Sequence, residues 1–422
     1  MLDRTVIPKF SSPEFKSFTS PINHELNNGI QLSSFNSGDQ EVFKIELIFP
    51  VGTYISSNPA VPSLCLEMLR EGSKTKTARE INNTLDYYGA FLNFNSGIDN
   101  TIITLFGRSV FIKHLIPLLA EIISDPVFDD NALNKHKVKM NQALLINEEK
   151  TSYWAPRLLR KLIFGESHPY STLVSSEAIE KITRDDIVGY HENFLSRALG
   201  NIIVAGSYNE GEVNQLLNSS FQGITLDFKA KSITHPTVGL FKTETKELGN
   251  TSQASIAIGK PAISNTQEHY ADYAFMTKLF GGYFGSRLMK KLREEEGLTY
   301  GIHAFNNQLR GGSYLQISAD VELSSVDKSV KLILAEIDKL KQEDISLHEI
   351  DTVKNYMIGE YVNDSNTVFD FAELYKKILL QRLPEDYYEV FYQRISEIES
   401  EAVKAMAIES LDAKQFSVIK VY

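Results

Sequence analysis

The sequence predicts an α+β protein made of two duplicated halves, and three observations support this fold class. Short apolar segments of strand length alternate with longer segments of helical periodicity. Matching residues recur at a nearly constant spacing of about 212 to 215 residues. The 422 residues, 42% apolar and 23% charged, are typical of a soluble chain with more than one core. We therefore expect mostly antiparallel sheets with helices covering one face, twice over.

The elements of the first half follow from local patterns. Residues 43–50 form an apolar strand, and Thr77 with Glu80 forms a capping box that begins a helix ending at Gly89. A hairpin is predicted over 91–95 and 101–107. Further helices are predicted over 110–123, 131–150, 153–164 and 185–195, and a buried strand over 201–206.

The second half repeats this order. Strands are predicted over 238–242 and 252–258, a hairpin over 300–305 and 313–319, helices over 325–340 and 347–362, and a closing strand over 416–421. The recurring residues are Tyr88-Gly89 and Tyr300-Gly301, Leu119 to Ile122 and Leu334 to Ile337, and Val138-Lys139 and Val353-Lys354. We expect an N-terminal domain over 1–221, a linker over 222–236 and a homologous C-terminal domain over 237–422.

Charge and composition exclude several function classes. A net charge of −11 and a pI near 5.4 argue against a nucleic-acid or anionic-membrane surface, which needs clustered Lys and Arg. The single cysteine, Cys65, forms no intrachain disulfide. The sequence shows neither a secretory signal pattern nor a run of 18 apolar residues. We therefore expect a cytoplasmic protein.

Residues 61–73 form an apolar helix that ends in Met-Leu-Arg-Glu-Gly-Ser. This segment resembles the zinc helix of the pitrilysin (insulinase) family, mitochondrial-processing-peptidase type, in which His-x-x-Glu-His directly precedes Met-Leu-x-x-Gly-Ser/Thr. In that register Ser63 and Glu67 stand at the histidine positions and Leu66 at the catalytic glutamate. Gln142 stands where the family has its third ligand, a glutamate. The resemblance implies a zinc site that has been lost, so we expect no metal and no other cofactor on this chain.

Other registers and other ligands do not restore the site. If Glu67 were the base, the ligand positions would fall on Leu64 and Met68, neither of which binds zinc as imidazole does. No two of the nine histidines lie within twenty residues of each other, which excludes a local pair on one helix. A site assembled from distant histidines remains open, although most of these histidines are better explained as surface or satisfied core residues.

Residues 281–301 carry the most specific match in the chain. They contain a glycine-rich turn, then Ser-Arg-Leu, then Arg-Glu-x-x-Gly-Leu-x-Tyr, which closely resembles the C-terminal signature of the same family. The resemblance implies that Arg293 and Tyr300 hold the substrate backbone and that Tyr283 and Phe284 contact the peptide. The structural alternative is that Arg293 pairs with its acidic neighbours at 294–296 and that Tyr300 packs on a sheet. The turn lacks the Gly-Lys-Ser/Thr ending of a phosphate loop.

Two functional hypotheses follow from the resemblance. The first is a zinc-less, non-catalytic subunit of a heterodimeric zinc peptidase, inactive alone, which binds an extended peptide by strand addition and supplies Arg293 and Tyr300 to a zinc-bearing homologous partner. The second is a structural or peptide-holding homodimer without a proteolytic role. A self-sufficient hydrolase that uses Glu67 with unusual metal ligands is a weaker third. The identities of the peptide and of the partner stay open.

Overall fold

The structure is a computed structural model that describes residues 12–224, 227–228, 238–249 and 251–422. The first half has strands β1 (Ile22–Glu25), β2 (Gln31–Asn36), β3 (Val42–Phe49), β4 (Phe91–Ser96), β5 (Thr101–Arg108) and β6 (Asn201–Gly206). Its helices are α1 (Ala60–Met68), α2 (Ala78–Tyr88), α3 (Ile112–Ser124), α4 (Asp130–Glu148), α5 (Thr151–Phe164), α6 (Ser176–Glu180), α7 (Arg184–Asn193) and α8 (Glu210–Phe221).

The second half has a similar order of elements. Its strands are β7 (Thr243–Lys246), β8 (Gln253–Ala262), β9 (Thr299–Leu309), β10 (Gly312–Glu322) and β11 (Ser417–Val421). Its helices are α9 (Tyr270–Thr277), α10 (Val326–Gln342), α11 (Leu347–Asn363), α12 (Val368–Gln381), α13 (Tyr387–Glu397) and α14 (Ser400–Ser410). Two π-helical segments, Lys278–Gly282 and Met289–Glu295, lie between α9 and β9.

The strands form two sheets that confirm the predicted α+β class. The first sheet has the order β1-β2-β6-β3-β5-β4 and the second the order β7-β11-β8-β10-β9. All neighbouring strands in these sheets are antiparallel except the pairs β2–β6 and β7–β11. The hairpins β4–β5 and β9–β10 occupy matching places, so β4 and β9 are edge strands of their sheets.

Local patterns predicted most of these elements, and the capping box is confirmed in detail. The Thr77 hydroxyl accepts a hydrogen bond from the Glu80 amide, and the Glu80 carboxylate accepts one from the Thr77 amide. Gly89 ends α2 in the left-handed conformation, with φ 61°. Most of the predicted linker over 222–236 lies outside the described residues, and the domain boundaries stay a prediction.

The predicted strand over 238–242 is wrong, because its backbone is used elsewhere. The amides of Val238 and Gly239 donate to the carbonyl of Ile163, and the amide of Leu240 donates to that of Leu162. These bonds satisfy carbonyls at the C-terminal end of α5, which have no partner inside the helix. The strand begins only at Thr243, where β7 pairs with β11.

Helices cover both faces of each sheet. One face packs against helices of the same half, and the other packs against a helix of the opposite half. In β6, Ile202 faces the large core of the first half, whereas Ile203 packs with α12 of the second half. In β11, Val418 faces the core of the second half, whereas Ile419 packs with Leu159 of α5. The prediction of helices on one face is therefore incomplete, because the halves exchange helices.

The tips of the two hairpins meet at a buried carboxylate. Asp99, at the tip of β4–β5, is 7% exposed and accepts hydrogen bonds from the Tyr170 hydroxyl at 2.6 Å and the Arg310 backbone amide at 2.8 Å. The Arg310 guanidinium donates to the Asn100 side chain at 2.9 Å. Burial and the neighbouring negative charge of Asp99 raise the pKa of Tyr170 well above its usual range, so this phenol stays a donor.

A cluster of charges adds a second contact between the halves. Glu46 on β3 is only 3% exposed, and its carboxylate pairs with Lys376 of α12 at 2.7 Å and with Lys44 at 3.2 Å. Glu373, also on α12, pairs with both lysines. A buried carboxylate requires such partners, so the pair with Lys376 favours this position of α12 on the sheet.

We predict that Asp99→Ala lowers the free energy of unfolding by about 3 to 5 kcal/mol, because it leaves two buried donors without their acceptor. Chemical denaturation followed by the fluorescence of Trp154, the one tryptophan in the sequence, measures this change. The exposed Asp39→Ala is the matched control and should change stability by less than about 0.5 kcal/mol. Equal effects of the two variants would contradict the importance of the hairpin contact.

Candidate functional site

The helix α1 carries the segment that resembles a zinc helix, and the residues at its ligand positions are poor zinc donors. Ser63 is half-buried, Glu67 is exposed, and Leu66, at the position of the catalytic glutamate, is 2% exposed within the core of the first half. Gln142 lies exposed on α4, which packs against α1. A hydroxyl, an alkyl group, one carboxylate and an amide do not fit a zinc ion, which is held by imidazole, thiolate and carboxylate ligands.

The alternative register, with Glu67 as base, also fails. Leu64 and Met68, its two ligand positions, are fully buried in the core. Within the described ranges, no group of three or more His, Cys, Asp or Glu side chains is arranged to hold a metal ion. These observations disfavour a hydrolase that relies on Glu67.

The structure adds one side-chain hydrogen bond beside this helix that the sequence did not predict. His136 on α4 contacts Glu71, just after α1, with 2.8 Å between its Nε2 and the carboxylate. The pair ties the end of α1 to α4. The two residues lie 65 positions apart in the sequence, so neither spacing nor periodicity indicated their contact.

The signature segment 281–301 folds into a compact turn held by two π-helical segments. Gly281 is required by its surroundings, since a β-carbon there would lie 2.7 Å from the Cβ of Ala304 and 2.9 Å from Leu288. This close approach brings the turn against β9. Wide helical turns of this kind are frequent at functional sites.

Arg293, Tyr300 and Phe284 come together in the structure, and their contact with a substrate stays a prediction. The guanidinium carbon of Arg293 lies 4.6 Å from the ring centre of Tyr300 and 4.9 Å from that of Phe284. Tyr300 is 86% exposed and Phe284 61% exposed. Stacking uses the faces of the guanidinium and leaves the N–H groups at its edge available for carbonyl or carboxylate oxygens.

The structural alternative for Arg293, pairing with its acidic neighbours, is not what the structure has. Lys291 pairs with Glu295 at 2.9 Å and with Glu296 at 3.1 Å, and Lys328 pairs with Glu296 at 2.7 Å. Hydrogen bonds to Glu295 and Glu296 raise the pKa of Lys291 to about 12. No ion pair joins Arg293 to any carboxylate in the described part of the chain.

Tyr283 lies apart from this group. It is half-buried, and its ring centre is 5.0 Å from that of Tyr356 on α11. Burial, and then the negative charge of Glu349, raise the pKa of Tyr283. Its contact with a bound peptide, which the resemblance implied, stays a prediction, and Phe284 is the more accessible of the two.

Tyr300 borders a groove of about 670 Å³ that crosses one face of the second sheet, over β8, β10 and the edge strand β9. Gly301 and His303 of β9 form one wall, and Ser152 and Pro156 of α5 contribute to the other. Because β9 is the last strand of its sheet, one row of its backbone groups has no strand partner among the described residues. The groove therefore lies beside the edge strand, and its lining includes the exposed Tyr300 and the carboxylates of Asp320 and Glu322.

Comparisons with known proteins identify similar chains. Residues 181–357 match the family described as Peptidase M16 inactive domain. A "Non-peptidase homolog YmxG" of Helicobacter pylori is 26% identical over 324 residues, 75% of this chain and 74% of the relative. An "Uncharacterized zinc protease YmxG" of Bacillus subtilis is 23% identical over 293 residues, 69% of this chain and 71% of the relative.

A solved structure confirms the fold. The crystal structure of a peptidase M16 inactive domain from Pseudomonas fluorescens aligns with a TM-score of 0.85 at 20% identity, covering 95% of this chain and 98% of that one. None of the described helices is long and apolar enough to cross a membrane. Over residues 181–357 the chain is therefore similar to the family described as Peptidase M16 inactive domain, and it has the fold of the solved Pseudomonas fluorescens structure.

Proposed function

We propose that this chain is the zinc-less, non-catalytic subunit of a heterodimeric zinc peptidase. It binds an extended peptide and contributes Arg293 and Tyr300 to the active site of a zinc-bearing homologous partner. One observation carries this proposal: a stacked arginine without a carboxylate partner lies beside a tyrosine that is 86% exposed, on an edge strand.

These residues contribute little to the stability of the chain alone. A phenol that is 86% exposed buries almost no apolar area, and an exposed cation–π contact is worth only about 0.5 to 1 kcal/mol. The same groups can bind a peptide substrate while it is being cleaved. The guanidinium edge donates to peptide carbonyls, and the phenol donates to an oxyanion that develops on the carbonyl under attack.

The edge of β9 suggests how the peptide is held. An extended segment that pairs with an edge strand gains main-chain hydrogen bonds whatever its sequence, and side chains alternate between the groove and solvent. The groove beside Tyr300 receives the side chains on one face. In this proposal the zinc, the nucleophile and the cleavage belong to the partner, and the cytoplasmic location expected from the sequence applies to both subunits.

We predict that the purified chain contains far less than one zinc per polypeptide when measured by elemental mass spectrometry. The positions of the family ligands carry Ser63, Glu67 and Gln142, which are unsuited to the ion. A triple variant, Ser63→His with Glu67→His and Gln142→Glu, is the positive control and should gain zinc. A full equivalent in the unmodified chain would refute the proposal.

We predict that peptidase activity arises when this chain is mixed with a zinc-bearing homologue from the same organism, and not from this chain alone. Tyr300→Phe should then lower kcat by about 100-fold, because it removes one oxyanion donor. Arg293→Ala should lower kcat/KM by at least about tenfold, because peptide carbonyls lose a donor fork. Initial rates with a quenched fluorescent peptide measure both effects.

Matched controls separate chemistry from assembly. Tyr87→Phe alters a tyrosine that is 80% exposed on α2, and Arg79→Ala alters an exposed arginine on the same helix. Both should leave the rates unchanged, and light scattering should show the same dimer for every variant. If the Arg293 and Tyr300 variants retain full activity, or if the chain forms only an inactive homodimer, the structural or peptide-holding alternative is favoured instead.

A further inference from the structure

A second cavity, of about 430 Å³, lies between the two halves where the hairpin tips meet. Asp99 and Asn100 line it from the first half, and Arg310 lines it from the second. Arg382, the residue that ends α12, completes the wall. None of the residues of the Arg293 and Tyr300 site borders this cavity.

The cavity has more positive than negative charge. The guanidinium of Arg310 donates only to neutral acceptors: the Asn100 side chain at 2.9 Å, the Pro50 carbonyl at 3.3 Å and the Tyr54 hydroxyl at 3.4 Å. The Asp99 carboxylate is taken by the Tyr170 hydroxyl and by the backbone amide of Arg310. Two guanidinium groups therefore border the cavity, and one carboxylate is already engaged there.

Arg310 also retains an unused donor. Its Nε is buried and has no hydrogen-bond acceptor among the described residues. A buried donor of a charged group is expensive to leave unpaired. An oxyanion in the cavity would accept a hydrogen bond from this Nε–H group.

Arg382 has an unusual backbone. Of the described residues other than glycine, it is the only one with positive φ, at 56°. This left-handed position after a helix is usually held by glycine, because a β-carbon makes the conformation costly. Strain of this kind, kept at a residue with a charged side chain that lines a cavity, indicates a role for the side chain.

Arg310 and Arg382 act on the same group. Burial raises the pKa of Tyr54, and the positive charges of Arg310 and Arg382 both oppose this rise. The two guanidinium groups thus lie within electrostatic reach of one phenol. Neither of them forms an ion pair with a carboxylate in the described part of the chain.

We propose that this cavity is an oxyanion-binding site in which the guanidinium groups of Arg310 and Arg382 hold the ligand between the two halves of the chain. The proposal goes beyond the proposed function and does not depend on it. Two sources supply the same chemistry, a free phosphate ion and the C-terminal carboxylate of a bound peptide. A guanidinium fork binds either group through paired hydrogen bonds.

Titration calorimetry of the full chain with inorganic phosphate tests the site. The unmodified chain should bind phosphate, and its Tm should rise with phosphate concentration, because a ligand of the folded state stabilises it by mass action. Arg382→Gln should weaken binding by at least about tenfold. The control Arg79→Gln removes the same charge from exposed α2 and should bind as the unmodified chain does. Far-UV circular dichroism verifies that both variants are folded.

A competition experiment identifies the source of the anion. An extended peptide with a free carboxyl terminus is compared with the same peptide amidated at that end. If the peptide with the free carboxyl terminus displaces phosphate and the amidated peptide does not, the site binds chain termini. If phosphate binds and neither peptide displaces it, the site binds the free ion. The proposal is overturned if the unmodified chain binds neither phosphate nor the peptide acid, or if Arg382→Gln binds them as tightly.

Discussion

The exchange of helices α5 and α12 between the halves is the constraint on which the rest of the structure depends. Each sheet is apolar on both faces, as the burial of Ile202 and Ile203 on successive positions of β6 shows. The helices of one half cover only one face, so an isolated half would expose a continuous apolar surface to water. The halves therefore stabilise each other.

The two regions that resemble the family, α1 and residues 281–301, differ in how they take part in this packing. On α1, where the zinc helix would be, Leu66 belongs to the core, and burying such a side chain contributes about 1.5 to 3 kcal/mol. The position that resembles the family's catalytic glutamate is therefore part of the core. Phe284 and Tyr300 are exposed and Arg293 is only partly buried, so they add little to it. A segment that is held rigidly by Gly281 but presents its side chains to solvent is suited to contact another molecule.

Local structure could be predicted from the sequence, whereas contacts between distant segments could not. Thr77, Glu80 and Gly89 act within one helix, so their pattern is sufficient. Periodicity gives an apolar face to α5 and to α12 but does not say which sheet that face meets. The match of Tyr88-Gly89 with Tyr300-Gly301 shows a related limit, because the first pair ends a helix and the second lies in β9. The stacking of Arg293 on two rings likewise depends on a fold that sequence spacing does not contain.

The pairing of the charged residues shows why the unpaired arginines matter in a chain of net charge −11. Carboxylates are abundant, and two arginines bind them through two hydrogen bonds each: Arg287 binds Glu349, and Arg394 binds Asp272. Beside Arg293 the carboxylates of 295 and 296 are taken by lysines instead. Arg293 has neither a carboxylate partner nor a hydrogen-bond acceptor among the described residues, so its donors are available to a ligand from outside the chain.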